Sequence, residues 1–352
     1  MTDMKNYIKI LLAAAVVSFA VSCGKEEPKI PDMSPQLPDV ERTSYTNPIS
    51  TQSLPDPTVI RGEDGMFYLY ATEDIRNMPI MVSKNLIDWV QAGIVFRDNT
   101  RPNDVVGASF WAPDITKQGD KYVLYYSIAP ADLSNQWQWG IGVMSCDNPV
   151  GLWENEGKLF LSGDIGVRCS IDPFYFEDGD KKYIVWGSYF GLWAVELAED
   201  GLSVKPGAQK VRLVGTDGYG VEAPMIVKKD DYYYFFASEG GAGYENDYKI
   251  GVVRSKNFLG PYVNKAGQSA IGNGLTMILK SNEGFQSPGH CSGIITDDKG
   301  TDWLLYHSYV KEESDNGRRL MLDKITWEAD GWPSINGGNG PTATSTETPY
   351  FK

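Results

Sequence analysis

The sequence predicts an all-β protein, a five-bladed β-propeller, on three observations: one strand-like motif occurs five times, each copy follows a turn signal, and no stretch sustains a helical period. The motif is aromatic-first, apolar, and closes on Ser or Thr: Phe67–Thr72, Tyr122–Ser127, Tyr183–Ser188, Tyr233–Ser238 and Trp303–Ser308. The turns before it are Glu63-Asp64-Gly65, Gly119-Asp120-Lys121, Asp178-Gly179-Asp180, Lys229-Asp230-Asp231 and Asp298-Lys299-Gly300, rich in the residues that favour chain reversal. Copies start at residues 67, 122, 183, 233 and 303. That period exceeds the roughly 40–50 residues of common propeller repeats, as inserted loops would make it.

A third element follows each copy: Pro79–Ser83, Gly140–Ser145, Gly191–Leu197, Lys249–Ser255 and Arg319–Trp327. With a fourth, outer strand, each unit becomes a small antiparallel sheet that cannot bury both faces by itself. Radial packing around an axis buries them. A β-sandwich or β-helix is the alternative, and the long, uneven period speaks against both.

In chain order, residues 1–23 read as an export leader: Lys5 and Lys9 precede an apolar run from Ile10 to Val21, too short to span a bilayer as a stable helix. Ala20-Val21-Ser22-Cys23 resembles a bacterial lipobox, which implies a lipid anchor at Cys23, with a simple secretory signal as the alternative. The acidic stretch behind it is similar to the tag of outer-membrane lipoproteins facing the exterior, so cell-surface and periplasmic locations both stay open. Residues 24–48 read as a flexible tether, 49–340 as the propeller and 341–352 as a C-terminal tail. Cys146, Cys169 and Cys291 are an odd number for an exported chain and read as small buried hydrophobes.

A formal net charge of −14 excludes a nucleic-acid or anionic-lipid surface built on clustered cations, and a monomer acting on a neutral or cationic partner is expected.

Eleven residues before the repeated motif stand Asp56, Trp111, Asp172, Glu222 and Ser292, the last two places after His290. The first strand of a propeller blade lines the axis, so three carboxylates distant in sequence converge. Most precede Pro, as in Asp56-Pro57, Asp172-Pro173 and Glu222-Ala223-Pro224, where the missing N–H suits an inner edge that pairs no further. Crowded carboxylates must spread their pKa values, one held protonated and another ionised. Glycoside hydrolysis needs such a set.

With Pro55-Asp56-Pro57, Phe110-Trp111-Ala112-Pro113-Asp114, Ile171-Asp172-Pro173, Val221-Glu222-Ala223-Pro224 and Gly289-His290-Cys291-Ser292 in this order, the chain resembles glycoside hydrolase family 43 from about Pro55 to Pro333. The resemblance implies Asp56 as the general base that activates water, Glu222 as the general acid, and Asp172 as the group that tunes and orients Glu222. It also implies inversion at the anomeric carbon, with the two working carboxyls about 6.5–9.5 Å apart. His290 is implied as the residue near a calcium or other cation on the axis, whereas His307 reads as structural. Phe110 and Trp111 are the expected sugar-contacting aromatics, Ser188 a further substrate contact, and Trp137, Trp139, Tyr189 and Trp193 lesser candidates.

Tyr248–Tyr262, Gly289–Tyr309 and Arg319–Pro333 look like the endo-α-1,5-L-arabinanase branch. The implied substrate is therefore plant cell-wall arabinan, or arabinoxylan. Exo-acting arabinofuranosidase or β-xylosidase activity, or a non-catalytic glycan-binding lipoprotein, are the alternatives.

Overall fold

The computed structural model describes residues 37–38 and 40–352; the expected leader with Cys23 and most of the expected tether lie outside the described residues. Five antiparallel sheets follow one another along the chain. Blade 1 is built from Thr58–Arg61, Phe67–Tyr70, Pro79–Ser83 and Val90–Ile94. Blade 2 uses Ser109–Gln118, Lys121–Ala129, Gly140–Cys146 and Glu154–Leu161. Blade 3 uses Phe174–Asp178, Lys181–Trp186, Phe190–Glu196 and Val211–Asp217. Blade 4 uses Val221–Lys229, Tyr232–Glu239, Lys249–Ser255 and Thr276–Leu279. Blade 5 uses Phe285–Gly289, Asp302–Val310, Arg319–Trp327 and Pro333–Ile335, with the short strand Ile295–Thr296 also paired to its second strand. The repeated motif is thus the second strand of every blade.

The core lies between blades. Tyr70, Phe96, Phe110 and Tyr126 join blades 1 and 2; Tyr125, Tyr175 and Trp186 join blades 2 and 3. Val185, Val214, Phe235 and Phe258 join blades 3 and 4; Phe236, Ile250, Tyr306 and Trp332 join blades 4 and 5. Phe67, Leu69, Trp303 and Leu305 close the ring between blades 5 and 1. Each blade therefore buries both faces, which a lone sheet could not do.

The structure corrects both expected boundaries. Tyr45–Thr46 pairs with Thr344–Ser345, Asn47 donates to the carbonyls of Leu322 and Thr342, and Phe351 packs on Phe67 with ring centroids 4.5 Å apart. Residues 45–48 and 341–352 thus belong to the fold as a strap across the closure rather than to a tether and a tail. Their polar sequence hid this, because the strap is held mainly by backbone pairing and a few buried rings.

The repeat is also latched around the axis. Every blade has a non-glycine residue of positive φ at or beside its inner strand, Asp56 (+53°), Ala112 (+38°), Asp172 (+57°), Ala223 (+56°) and His290 (+46°), and blade 5 has a second, Ser287 (+52°). This conformation costs free energy for an L-residue and persists where surroundings over-determine it. For three of the five, the closing hydroxyl of the preceding blade does so. Ala112 N–H donates to Thr72 Oγ1 (2.7 Å), Asp172 N–H to Ser127 Oγ (2.8 Å) and His290 N–H to Ser238 Oγ (2.8 Å).

Candidate active site

The five latched residues revise the alignment by fixed distance. Equivalent backbone positions are Asp56, Ala112, Asp172, Ala223 and His290, so Trp111 and Glu222 stand one residue early. Ser292 is two residues late, buried with its hydroxyl on the Gly293 carbonyl. Register shifts in the inner strands of blades 2, 4 and 5, between Trp111 and Asp114, Glu222 and Met225, and Gln286 and Gly289, displace the count.

Asp56, Asp172 and Glu222 nevertheless line one cleft of about 570 Å³ at one end of the axis, together with His290 and Arg318. Asp56 is buried and multiply held. Its Oδ1 accepts from Arg318 Nη1 (2.7 Å), its Oδ2 from the Thr72 hydroxyl (2.6 Å), and its N–H donates to His307 Nδ1 (3.0 Å). Burial alone would raise its pKa; the Arg318 guanidinium prevails and holds the carboxyl well below the usual range.

His307, wholly buried, accepts that backbone N–H on Nδ1 and is therefore neutral, its proton on Nε2. Burial lowers both His307 and His290 to about 4. His290 Nδ1 stands 3.4 Å from Asp56 Oδ1 and 3.9 Å from Asp172 Oδ2, a neutral wedge between two acids.

Asp172 and Glu222 are shifted the other way. Burial raises Asp172 well above the normal carboxylate range, with Glu222 and Asp56 adding like-charge repulsion. Its Oδ2 accepts Ala223 N–H at 3.1 Å, which ties it to the residue beside Glu222. Burial also raises Glu222, against the opposing effect of two donors, Ser188 Oγ to Oε2 (2.6 Å) and Tyr248 Oη to Oε1 (2.9 Å). The Asp172–Glu222 pair therefore retains a proton at a pH where Asp56 has lost its own. Burial is the largest cause at both carboxyls; the Asp56 carboxylate adds to it at Glu222, and Glu222 adds to it at Asp172.

Tyr248 reaches Glu222 because Gly289 has no side chain: a Cβ there would lie 1.8 Å from the Tyr248 ring. The ring stacks on His307 with centroids 5.8 Å apart and planes at 12°.

Two expected sugar contacts change role. Phe110 is 1% exposed, packed on Phe96 and Tyr126 under the Arg101 guanidinium, so it is core; the strand alternation that turns Trp111 to the cleft turns Phe110 inward. Ser188 lines the cleft but is 2% exposed and donates its hydroxyl to Glu222, so it positions the acid. Trp111 and Trp139 line the cleft edge to face, with centroids 5.4 Å apart, and Tyr189 lines it at 43% exposure. Trp137 is exposed outside the lining, and Trp193 lies on blade 3 beneath Arg212.

Sequence reasoning passed over Arg318 and Tyr248. A signal existed: the residues immediately before the third strands are Met78, Trp139, Tyr189, Tyr248 and Arg318. Four of these five line the cleft or bond a carboxylate in it, so alignment on the third strand finds a second ring of site residues.

A probable arabinan endo-1,5-α-L-arabinosidase C of Aspergillus flavus is 28% identical over 85% of this chain and 97% of its own length. An extracellular exo-α-(1→5)-L-arabinofuranosidase of Cellvibrio japonicus is 29% identical over 80% of this chain and 86% of its own. The solved α-L-arabinanase of Cellvibrio cellulosa complexed with arabinohexaose superposes with a TM-score of 0.71 at 26% identity, covering 81% of this chain and 95% of that one. Residues 45–333, from the closing strand through all five blades, match the family described as Glycosyl hydrolases family 43, and the chain belongs to that family.

Proposed function

We propose that this protein hydrolyses α-1,5-linked L-arabinofuranosyl bonds in arabinan by a single displacement that inverts the anomeric carbon. The observation that carries the reading is the electrostatic split of the three carboxylates. Asp56, whose ionised form Arg318 favours, takes a proton from the attacking water, and Glu222, whose protonated form burial favours, gives one to the departing glycosidic oxygen. Asp172 shares the proton of Glu222 and, through Ala223 N–H, fixes its backbone. Trp111 and Trp139 offer apolar faces to furanose rings. The printed activities of the Aspergillus and Cellvibrio relatives support the substrate.

Glu222→Ala on linear arabinan is the test. Oligosaccharide release by the parent and its loss in the variant are expected; no release by the parent, or equal release by both, removes the reading. Early loss of viscosity marks endo attack, and immediate monomer marks exo attack, which the Cellvibrio japonicus relative carries out.

The calcium expected from the resemblance enters this proposal in restricted form. Among the described residues no three His, Cys, Asp or Glu side chains gather as metal ligands. His290 offers a nitrogen, so a hard cation that takes six to eight oxygens would have to draw its shell from water. Elemental analysis of the purified protein checks this. Export is also part of the proposal, supported by the leader pattern and by the extracellular relative; fractionation of cells carrying Cys23→Ala tests the lipid anchor.

A further inference from the structure

We propose that a basic shelf at the blade 3 lip of the cleft binds uronate carboxylates of the polysaccharide that bears the scissile chain, a reading that rests on the arabinan assignment above. Cys169 and Tyr189 line the cleft, and their chain neighbours Arg168 and Phe190 stand just outside it. The Arg168 guanidinium lies 3.8 Å from the centroid of the Phe190 ring. Next to Phe190, whose carbonyl accepts from Trp193 Nε1 (2.9 Å), the Trp193 ring carries Arg212 at 4.6 Å and Lys210 at 5.9 Å. Lys210 Nζ bonds back to the Ile165 carbonyl (2.9 Å), three residues before Arg168, which closes the patch. Three cations thus share two aromatic rings on a chain of net charge −14.

The pairing within the patch is incomplete. Arg212 bonds Asp217, but neither Arg168 nor Lys210 has a carboxylate partner among the described residues, and no Arg168 side-chain N–H has an acceptor there. Stacking holds the guanidinium plane through its face and leaves its edge free, which is the geometry for bidentate capture of a carboxylate. A neutral arabinofuranosyl chain offers single hydroxyl and ether acceptors but no charged, bidentate one. A chain that runs out of the cleft past Tyr189 onto an acidic backbone does.

The probe is polygalacturonate in affinity electrophoresis, run with the parent and with Arg168→Gln, Lys210→Ala and the double variant, each checked for an unchanged thermal transition. Retardation of the parent is expected, weakened about fivefold by each substitution and further by both, and reduced by moderate salt because Lys210 is exposed and Arg168 only partly buried. Neutral linear arabinan in the gel should retard all forms alike. Absence of parent retardation by polygalacturonate overturns the proposal, as does equal retardation of parent and variants. Arg168-dependent binding to anionic phospholipid vesicles without binding to polygalacturonate overturns it in favour of a membrane surface. The measurement is of binding alone. A parent that binds polygalacturonate yet releases nothing from arabinan would remove the hydrolase reading and leave the shelf standing.

Discussion

Replacement of Arg318 by Met should move the acidic limb of the pH profile of kcat/KM. The guanidinium stands 2.7 Å from Asp56 Oδ1, in a site where burial otherwise favours the protonated acid. Two unit charges about 4 Å apart interact by about 4 kcal/mol at an effective dielectric near 20. At 1.36 kcal/mol per pK unit that is about three units, of which water entering the vacated space would return a part. Asp56 should therefore move up from well below the carboxylate range, and kcat/KM, which reports the free enzyme, should fall about tenfold per pH unit on the acidic side of the new limb. The parent should stay flat on the acidic side until its remaining groups titrate.

Arg318→Lys retains the charge and should keep most of the parent profile, which separates electrostatics from shape. Breaking a buried pair also costs about 3–5 kcal/mol of stability, so thermal transitions should be measured alongside. A uniform drop in kcat/KM at every pH, with unchanged limbs in the Met variant, would refute the reasoning: Arg318 would then act on the sugar and not on the ionisation of Asp56.

Tyr248→Phe and Ser188→Ala each remove a donor to Glu222, worth about 1.5–3 kcal/mol to the ionised form, so the basic limb of kcat/KM should move up by about one to two units; an unmoved or lowered limb counts against Glu222 as the acid. Asp114→Asn should flatten the dependence of stability on pH. Asp114 is buried between blades, accepting from Thr58 Oγ1 (3.3 Å) and Tyr175 N–H (2.7 Å), and burial raises it to about 7. Its folded form binds a proton that the unfolded chain has released, so it makes the protein less stable as pH rises from about 4 to about 7, by at most about 4 kcal/mol. Urea unfolding at pH 5 and pH 8 reads the effect, and equal losses in parent and Asn variant would count against it.

Much of this architecture was legible because a propeller writes its repeat into the chain. Aromatic-first second strands pack between blades, and the motif marked all five. Its closing Ser or Thr was visible as a pattern without a reason until the latches to Ala112, Asp172 and His290 supplied one. The three carboxylates followed from the same repeat. What failed were statements that needed a register: a fixed count of eleven cannot see a bulge, so Ser292 was matched where His290 stands. Phe110 was matched to the cleft because it adjoins Trp111, although adjacent strand residues face opposite ways. Arg318 was invisible to the second-strand alignment because it comes from a loop end.

Blade 3 shows how repeat and chemistry exclude each other at one point. In blades 1, 2 and 4 the closing hydroxyl accepts the N–H of the next blade's latched residue. Ser188, the counterpart in blade 3, instead donates to Glu222, and the N–H it would have taken, that of Ala223, goes to Asp172. The latch is rebuilt with the tuning acid in place of the hydroxyl, and the freed hydroxyl holds the general acid. Blade 5 departs as well: the N–H of Asp56 goes to His307, one residue short of Ser308. The two departures fall on the two carboxylates assigned to proton transfer. A latch that only joined blades would have no reason to change there, and one that also sets protonation state would.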